Sequence, residues 1–333
     1  MVIDVHAHLY PRPFMEELAA HGPRYGVSLT GDEPPFLCFE GLRFWRYTPP
    51  FHDVDQRLAQ MDRAGVERQV LSLGPPMTYW ADPDLGLRLC RIFNDEIAKV
   101  LRRHPDRFYG LAALPLQSTD LALAELGRAV NDLGLHGVGI GSNLHGRQLD
   151  HPSLAPFWER VESLDWPIFL HPINPAGHPD IHDYRLDLAV GFPFDTTIAA
   201  ARLVYSGTLE RHPRLRVCLA HLGGALPFLR ERIAIGFRVG KEHFGAAFKA
   251  TGSPEAAIER FYFDTISYYE PALLAGLACV GAERLVIGSD APFAAGDLER
   301  SVREISAFAF LPERDRRKIL GENALRFLGV DAP

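Results

Sequence analysis

The chain has 333 residues, 47% of them hydrophobic and 23% charged, which excludes a disordered polymer and allows one large domain or two of ordinary size. A net charge of −7 and a sequence pI near 6.1 leave no basic footprint for nucleic acid. No apolar run is long enough to cross a membrane, and the four dispersed cysteines (Cys38, Cys90, Cys218, Cys279) form no C-x-x-C pair, so a reducing, cytoplasmic setting is expected.

The first element, "VIDVHAH" (2–8), is an apolar run ending in His6 and His8. Side chains alternate across an extended strand, so the two imidazoles share one face and Ala7 turns away. Two imidazoles converging at the end of a buried strand suggest a metal. Residues 11 to about 52 then break the rhythm with prolines, glycines and aromatics ("GPRYG", "GDEPPF", "GLRFWRYTPPF"). So long an insertion after the first strand is expected to form a lid or a pocket wall. Seven further apolar runs follow: "RQVLSLG" (68–74), "FYGLAALP" (108–115), "GVGIGS" (137–142), "PIFLHP" (167–172), "RVCLAHLG" (216–223), "FYFDTI" (261–266) and "LVIGSD" (285–290). Most are continuously apolar, the mark of strands covered on both faces.

Helices are expected between them. In "DPDLGLRLCRIFNDEIAKVLRRH", Asp82 is the N-cap, Pro83 opens the first turn, and Leu85, Leu89, Ile92, Phe93, Ile97, Val100 and Leu101 fall on one face. "DTTIAAARLVYSGTLERHP" is expected to start at Asp195, bury a stripe through Ile198, Ala201, Tyr205 and Leu209, and stop before Pro213. Eight strands alternating with helices predict an α/β fold, a (β/α)8 TIM barrel in one domain over 1–333. The alternative, an open doubly wound sheet, lacks a glycine-rich phosphate loop after its first strand.

Such a barrel carries its active-site residues at the C-terminal strand ends. His6 and His8 end the first strand, His171 the fifth, His221 the sixth and Asp290 the eighth. Solvated loop histidines would not share that position, so these strand ends predict a metal site. His104 and His212, each before a proline at a helix end, are expected as C-terminal caps. His145, His178 and His182 are weaker candidates for the pocket. Phe192, Phe293 and Trp80 fit either an aromatic-sized pocket or ordinary core. Gly223 and Gly224 open the helix after the sixth strand, either to offer N–H groups to an anion or to make a tight turn.

"DVHAHLYP", "FLHP", "CLAHLGGALPF" and "VIGSDAPF", with "RHPDRFYGLAALPLQ", "GFPFDTTIA" and "GENALRFLG", resemble the amidohydrolase superfamily. The likeness is to its amidohydrolase-2 branch, in the group of 2-amino-3-carboxymuconate-6-semialdehyde decarboxylases and related aromatic-acid decarboxylases. It covers nearly the whole chain. The resemblance implies metal ligands at His6, His8, His171 and Asp290, with His221 as a catalytic acid/base, or alternatively a fifth ligand. It implies substrate-binding roles for Arg43, in the insertion, and Arg232, after the sixth strand. Two positions depart from the family pattern. The tryptophan of relatives after the fifth strand is Arg185, and an arginine lent across the dimer interface falls near Gly240, with Arg238 close by.

Members with two metals bridge them through a strand-four lysine. Lys99, Lys241, Lys249 and Lys318 are the only lysines, and none is near a strand end. One divalent metal is therefore expected, zinc first from three nitrogens and one carboxylate, with Mn²⁺ or Fe²⁺ as alternatives. The function implied is non-oxidative decarboxylation of an aromatic or unsaturated carboxylic acid. Asp290 doubles as ligand and proton carrier, and Arg43 or Arg185 orients the carboxylate. The alternatives are a hydrolase or hydratase of a small lactone, amide or enol acid, and a non-catalytic binding protein on an enzyme-like barrel. The expected partners are a small-molecule carboxylic acid and a second copy of the chain, as a homodimer.

Overall fold

A computed structural model describes residues 1–173, 181 and 183–331. Each of the eight apolar runs contains a strand: β1 (Ile3–His8), β2 (Arg68–Ser72), β3 (Phe108–Gly110), β4 (Val138–Gly141), β5 (Pro167–His171), β6 (Arg216–Leu219), β7 (Tyr262–Asp264) and β8 (Leu285–Val286). All neighbours pair in parallel, in two arcs, β1–β2–β3 and β4–β5–β6–β7–β8. Parallel bridges join the arcs at both seams, Ala112 with Val138 and Ala7 with Ala291. Backbone hydrogen bonds reinforce them: Gly139 N to Ala112 O at 3.0 Å, and His8 N to Ala291 O at 2.8 Å. The ring of eight strands thus closes.

One apolar cluster collects Val5, Val70, Tyr109, Phe169, Cys218, Tyr262 and Val286, one from each strand but β4, and is capped by Phe327 and Leu328. Only the inside of the ring is adjacent to so many strands. A larger cluster lies between strands and helices and contains Ala7, Leu71, Ile140, Leu170, Leu219 and Leu285. Both faces of the strands are therefore covered, which is why their sequences are continuously apolar. Among the described residues no helix is long and apolar enough to cross a membrane. All four cysteines are free thiols.

The helix Pro83–Arg103 begins as its sequence predicts, with Asp82 Oδ1 accepting from Asp84 N at 3.0 Å and Leu85 N at 2.9 Å. Leu85, Leu89, Phe93 and Ile97 are fully buried along its inner face, so truncating Phe93 to alanine costs about 3–5 kcal/mol. His104 and His212 stand at the C-terminal ends of their helices.

The helix expected from Asp195 differs. It runs Phe192–Tyr205, three residues earlier, out of a wide turn at Asp187–Gly191, with Asp195 buried and accepting from Asn143 Nδ2 at 2.9 Å. Gly207, at φ 68°, breaks it from a short helix Thr208–Arg211 that carries Leu209. Ile198 is 43% exposed rather than part of the buried stripe.

The insertion after β1 folds as a helix (Arg12–His21) and an antiparallel three-stranded sheet of Val27–Leu29, Phe36–Phe39 and Leu42–Arg46. It is tied to the barrel mouth by hydrogen bonds. Trp45 Nε1 and Tyr10 Oη donate to Pro75 O at 3.1 and 2.7 Å, and Tyr47 Oη donates to Tyr10 O at 2.9 Å.

Candidate active site at the barrel mouth

The strand-end residues predicted to converge do so. Coordinating atoms of His6, His171, His221 and Asp290 all lie within 4.8 Å of one another. His8 joins them: its Nε2 is 3.0 Å from His6 Nε2 and 3.1 Å from Asp290 Oδ1. His6 Nε2 is 3.1 Å and His171 Nε2 3.8 Å from the same carboxylate oxygen, and His221 Nε2 is 3.4 Å from Asp290 Oδ2. Each side chain arrives from the C-terminal end of a different parallel strand, except His6 and His8, which share β1.

The nitrogens remote from this centre define the near ones. His6 Nδ1 is 2.6 Å from Asp264 Oδ2, and a carboxylate only accepts, so Nδ1 carries the proton. His171 Nδ1 likewise donates to Pro172 O at 2.5 Å, which leaves its Nε2 as a buried lone pair with no hydrogen-bond partner among the described residues. His8 Nδ1 faces Ser72 Oγ at 3.2 Å. Lone pairs of His6 and His171 and the Asp290 carboxylate thus meet at one point. They repel one another and attract a cation, and the donor set of imidazole nitrogens and one carboxylate fits a divalent metal.

The ionisation pattern has the same origin. Burial opposes charge on His6, but the carboxylates of Asp290 and Asp264 outweigh it and raise the ring to about 10, so a cation must displace the Nε2 proton to take that lone pair. Burial pushes His8 down to about 4 and His171 to about 3. Asp290 is held well below the ordinary carboxylate value because the surrounding histidines outweigh its own burial.

Asp264, at the end of β7, was missed by the sequence analysis. It is fully buried, and besides His6 it accepts from His221 N at 2.9 Å, Leu222 N at 2.9 Å and Ile266 N at 3.0 Å. The signal was present, since "FYFDTI" places an acid after apolar residues as "LVIGSD" does. Asp4 was also missed. It accepts from Ser289 Oγ at 2.6 Å and Gln69 Nε2 at 2.8 Å, and so braces the segment leading to Asp290.

The centre opens into a cavity of about 470 Å³ whose walls include Phe44, Trp45 and Phe51 from the insertion and Phe192 and Phe293 from the barrel loops, with His171 and Asp290 on its surface. Trp80 is instead core, donating to Met77 O at 2.8 Å and outside that lining. The three predicted arginines separate. Arg185 lines the cavity, donating to Arg43 O at 3.1 Å and pairing with Asp187 at 3.2 Å. Arg43 does not line it: its guanidinium sits over Phe36 and pairs with Asp32 at 3.4 Å. Arg232 is exposed on the helix Leu226–His243, also outside the lining. Arg46, not singled out from sequence, does line the cavity and has no carboxylate partner among the described residues. His145 lies outside the lining, and His178 and His182 lie outside the described residues.

Gly223 and Gly224 have φ of 72° and 65°, and a Cβ on Gly224 would stand 2.0 Å from Pro193 O. The turn and the close approach both require glycine there. The end of β4, Gly141-Ser142-Asn143, brings no lysine to the site.

A closed parallel barrel with histidines and an aspartate converging at its C-terminal mouth defines a metal-dependent enzyme of the TIM-barrel class. The chain belongs to the amidohydrolase family, whose model matches residues 3–330. It is 35% identical over 334 residues to 2-amino-3-carboxymuconate-6-semialdehyde decarboxylase of Dictyostelium discoideum, covering 99% of this chain and 92% of that one. It is 35% identical over 297 residues to the gamma-resorcylate decarboxylase of Rhizobium radiobacter, covering 83% and 87%. Among solved structures, a dihydroxybenzoic acid decarboxylase from Polaromonas, bound to manganese and the inhibitor 2-nitroresorcinol, superposes with a TM-score of 0.82 at 26% identity, covering 100% of this chain and 98% of that one.

Proposed function

We propose that this protein is a metal-dependent carboxy-lyase that removes CO₂ without oxidation from an aromatic or unsaturated carboxylic acid. The observation that carries the reading is the convergence of His6, His8, His171, His221 and Asp290 on the floor of an aromatic-walled cavity. The likeness to named decarboxylases over nearly the whole chain supports it. His6, His8, His171 and Asp290 hold one divalent ion. The nitrogen-rich set favours zinc, and manganese is the ion bound in the Polaromonas decarboxylase. When bound, the ion supplies Lewis-acid anchoring of substrate oxygens.

The protein's own groups do the rest. The aromatic walls hold the ring. Arg46, which lines the cavity and has no carboxylate partner among the described residues, takes the substrate carboxylate by paired hydrogen bonds, and Arg185 keeps the wall closed by gripping the backbone of the insertion. His221 and Asp290 share the proton chemistry across 3.4 Å. The carbon–carbon bond to the carboxylate breaks, CO₂ leaves, and one proton from this pair forms the new carbon–hydrogen bond.

The active form is a homodimer in a reducing compartment. Leu188, Phe194, Ile198, Phe228, Ile235 and Phe244, on the adjoining helices after β5 and β6 and beside them, are between 42% and 86% exposed, an apolar area that a second copy would cover. The test of function is CO₂ release from gamma-resorcylate and from 2-amino-3-carboxymuconate-6-semialdehyde. CO₂ with the protonated product supports the reading. A hydrolysed or hydrated product with no CO₂ replaces it with the hydrolase reading.

A further inference from the structure

We infer that Asp264 is the positioning residue that couples the metal centre to the acid/base histidine: one buried carboxylate fixes both the tautomer of His6 and the strained turn that aims His221. The inference rests on the proposed function and extends it to a residue outside the ligand set.

His221 and Leu222 have φ of 54° and 57°, and Gly223 and Gly224 follow at 72° and 65°, so four successive residues have positive φ. The glycines adopt that conformation freely, whereas the histidine and leucine do so only where the surroundings impose it. Asp264 imposes it. Its Oδ2 accepts from His221 N and its Oδ1 from Leu222 N, both at 2.9 Å, so each strained residue presents its N–H to one oxygen of the same carboxylate. Oδ2 also accepts from His6 Nδ1 at 2.6 Å, which presents the His6 Nε2 lone pair to the metal position. Ile266 N, at 3.0 Å from Oδ1, anchors the carboxylate to its own strand end. Gly288 on the neighbouring segment leaves the space: a Cβ there would stand 2.9 Å from His6 Cβ and 3.0 Å from Asp264 Cβ. An amide has the same outline but only one accepting atom, so Asp264→Asn cannot satisfy His6 and both backbone donors.

The test compares wild type with Asp264→Asn in three measurements: affinity for Mn²⁺ and Zn²⁺ by chelator competition, amide hydrogen exchange at His221 and Leu222 in the metal-free protein, and the split between kcat and KM. Expected are a 10- to 100-fold loss of metal affinity, exchange at least 10-fold faster at both amides with the barrel strands still protected, and a kcat reduced at least 100-fold with KM within threefold. Unchanged exchange at the two amides, or unchanged affinity and kcat, overturns the inference. If wild type itself binds neither ion, the metal reading fails instead, and the two failures are distinguishable. Should the asparagine variant not accumulate as folded protein, Asp264→Ala titrated with formate replaces it. Return of His221 and Leu222 amide protection and of turnover with added formate is expected, and a folded alanine variant unmoved by formate counts against the inference.

Discussion

His8 Nε2 lies 3.1 Å from Asp290 Oδ1, joining the end of the first barrel strand to the segment after the last. The contact spans 282 residues of sequence and sits beside the seam where Ala7 and Ala291 close the ring. Closure of the barrel and assembly of the metal centre are therefore one event, and a chain that did not close could not build the site.

Removing a ligand separates metal loss from unfolding. His171→Ala is expected to lower metal content at least 10-fold and abolish turnover while the protein stays folded, because among the described residues His171 Nε2 has no hydrogen-bond partner to lose. Metal content and circular dichroism on the same sample check this. Full metal content in the variant would remove His171 from the ligand set.

The acid/base role of His221 predicts the opposite pattern. His221→Ala should retain the metal within twofold and lose roughly 10²–10⁴ in kcat. If it loses the metal instead, His221 is a ligand, as its place among the four groups within 4.8 Å would then require.

The cavity arginines predict a split between neighbouring positions. Arg46→Gln should raise KM about 10-fold or more, the scale of a lost charged hydrogen-bond pair. Arg43→Gln, with its guanidinium at Asp32 and Phe36, should leave KM within threefold. Steady-state kinetics on both variants decide, and the reverse order would mean that the insertion rearranges around substrate.

Far from the site, His136 predicts a pH effect on stability. Burial, with the Arg68 charge, pushes it down to about 4 from an ordinary value of 6.5. Its contribution is complete above 6.5 and is lost as pH falls through about 4, because the unfolded chain takes up the proton first. Wild type should therefore lose about 3 kcal/mol more than His136→Asn between pH 7 and pH 4, by urea denaturation at each pH. Parallel pH profiles would contradict the burial argument.

Much of the fold was legible because both faces of these strands are covered, so every strand announces itself as an apolar run. The metal centre was legible for a related reason: an imidazole or carboxylate directly after such a run has nowhere to go but the barrel mouth. Asp264 obeyed the same rule and was passed over because Thr265 and Ile266 continue the apolar run beyond it and hide the strand end. The arginines were not legible. Whether Arg43 or Arg46 faces the cavity depends on a pairing with Asp32 and on the Arg185 side chain, which reaches the insertion from 142 positions away in sequence. Ile198 read as core because its helix was expected to bury that stripe, and the tertiary arrangement leaves it on an open face.

Elemental analysis of protein purified without added metal, followed by CO₂ release from an aromatic acid before chelation, after it and after adding back the ion, tests the central claim most directly. The account predicts about one divalent ion per chain, release of CO₂ that stops on chelation, and recovery when Zn²⁺ or Mn²⁺ is restored. Two ions per chain, or CO₂ release untouched by complete removal of the metal, would contradict it.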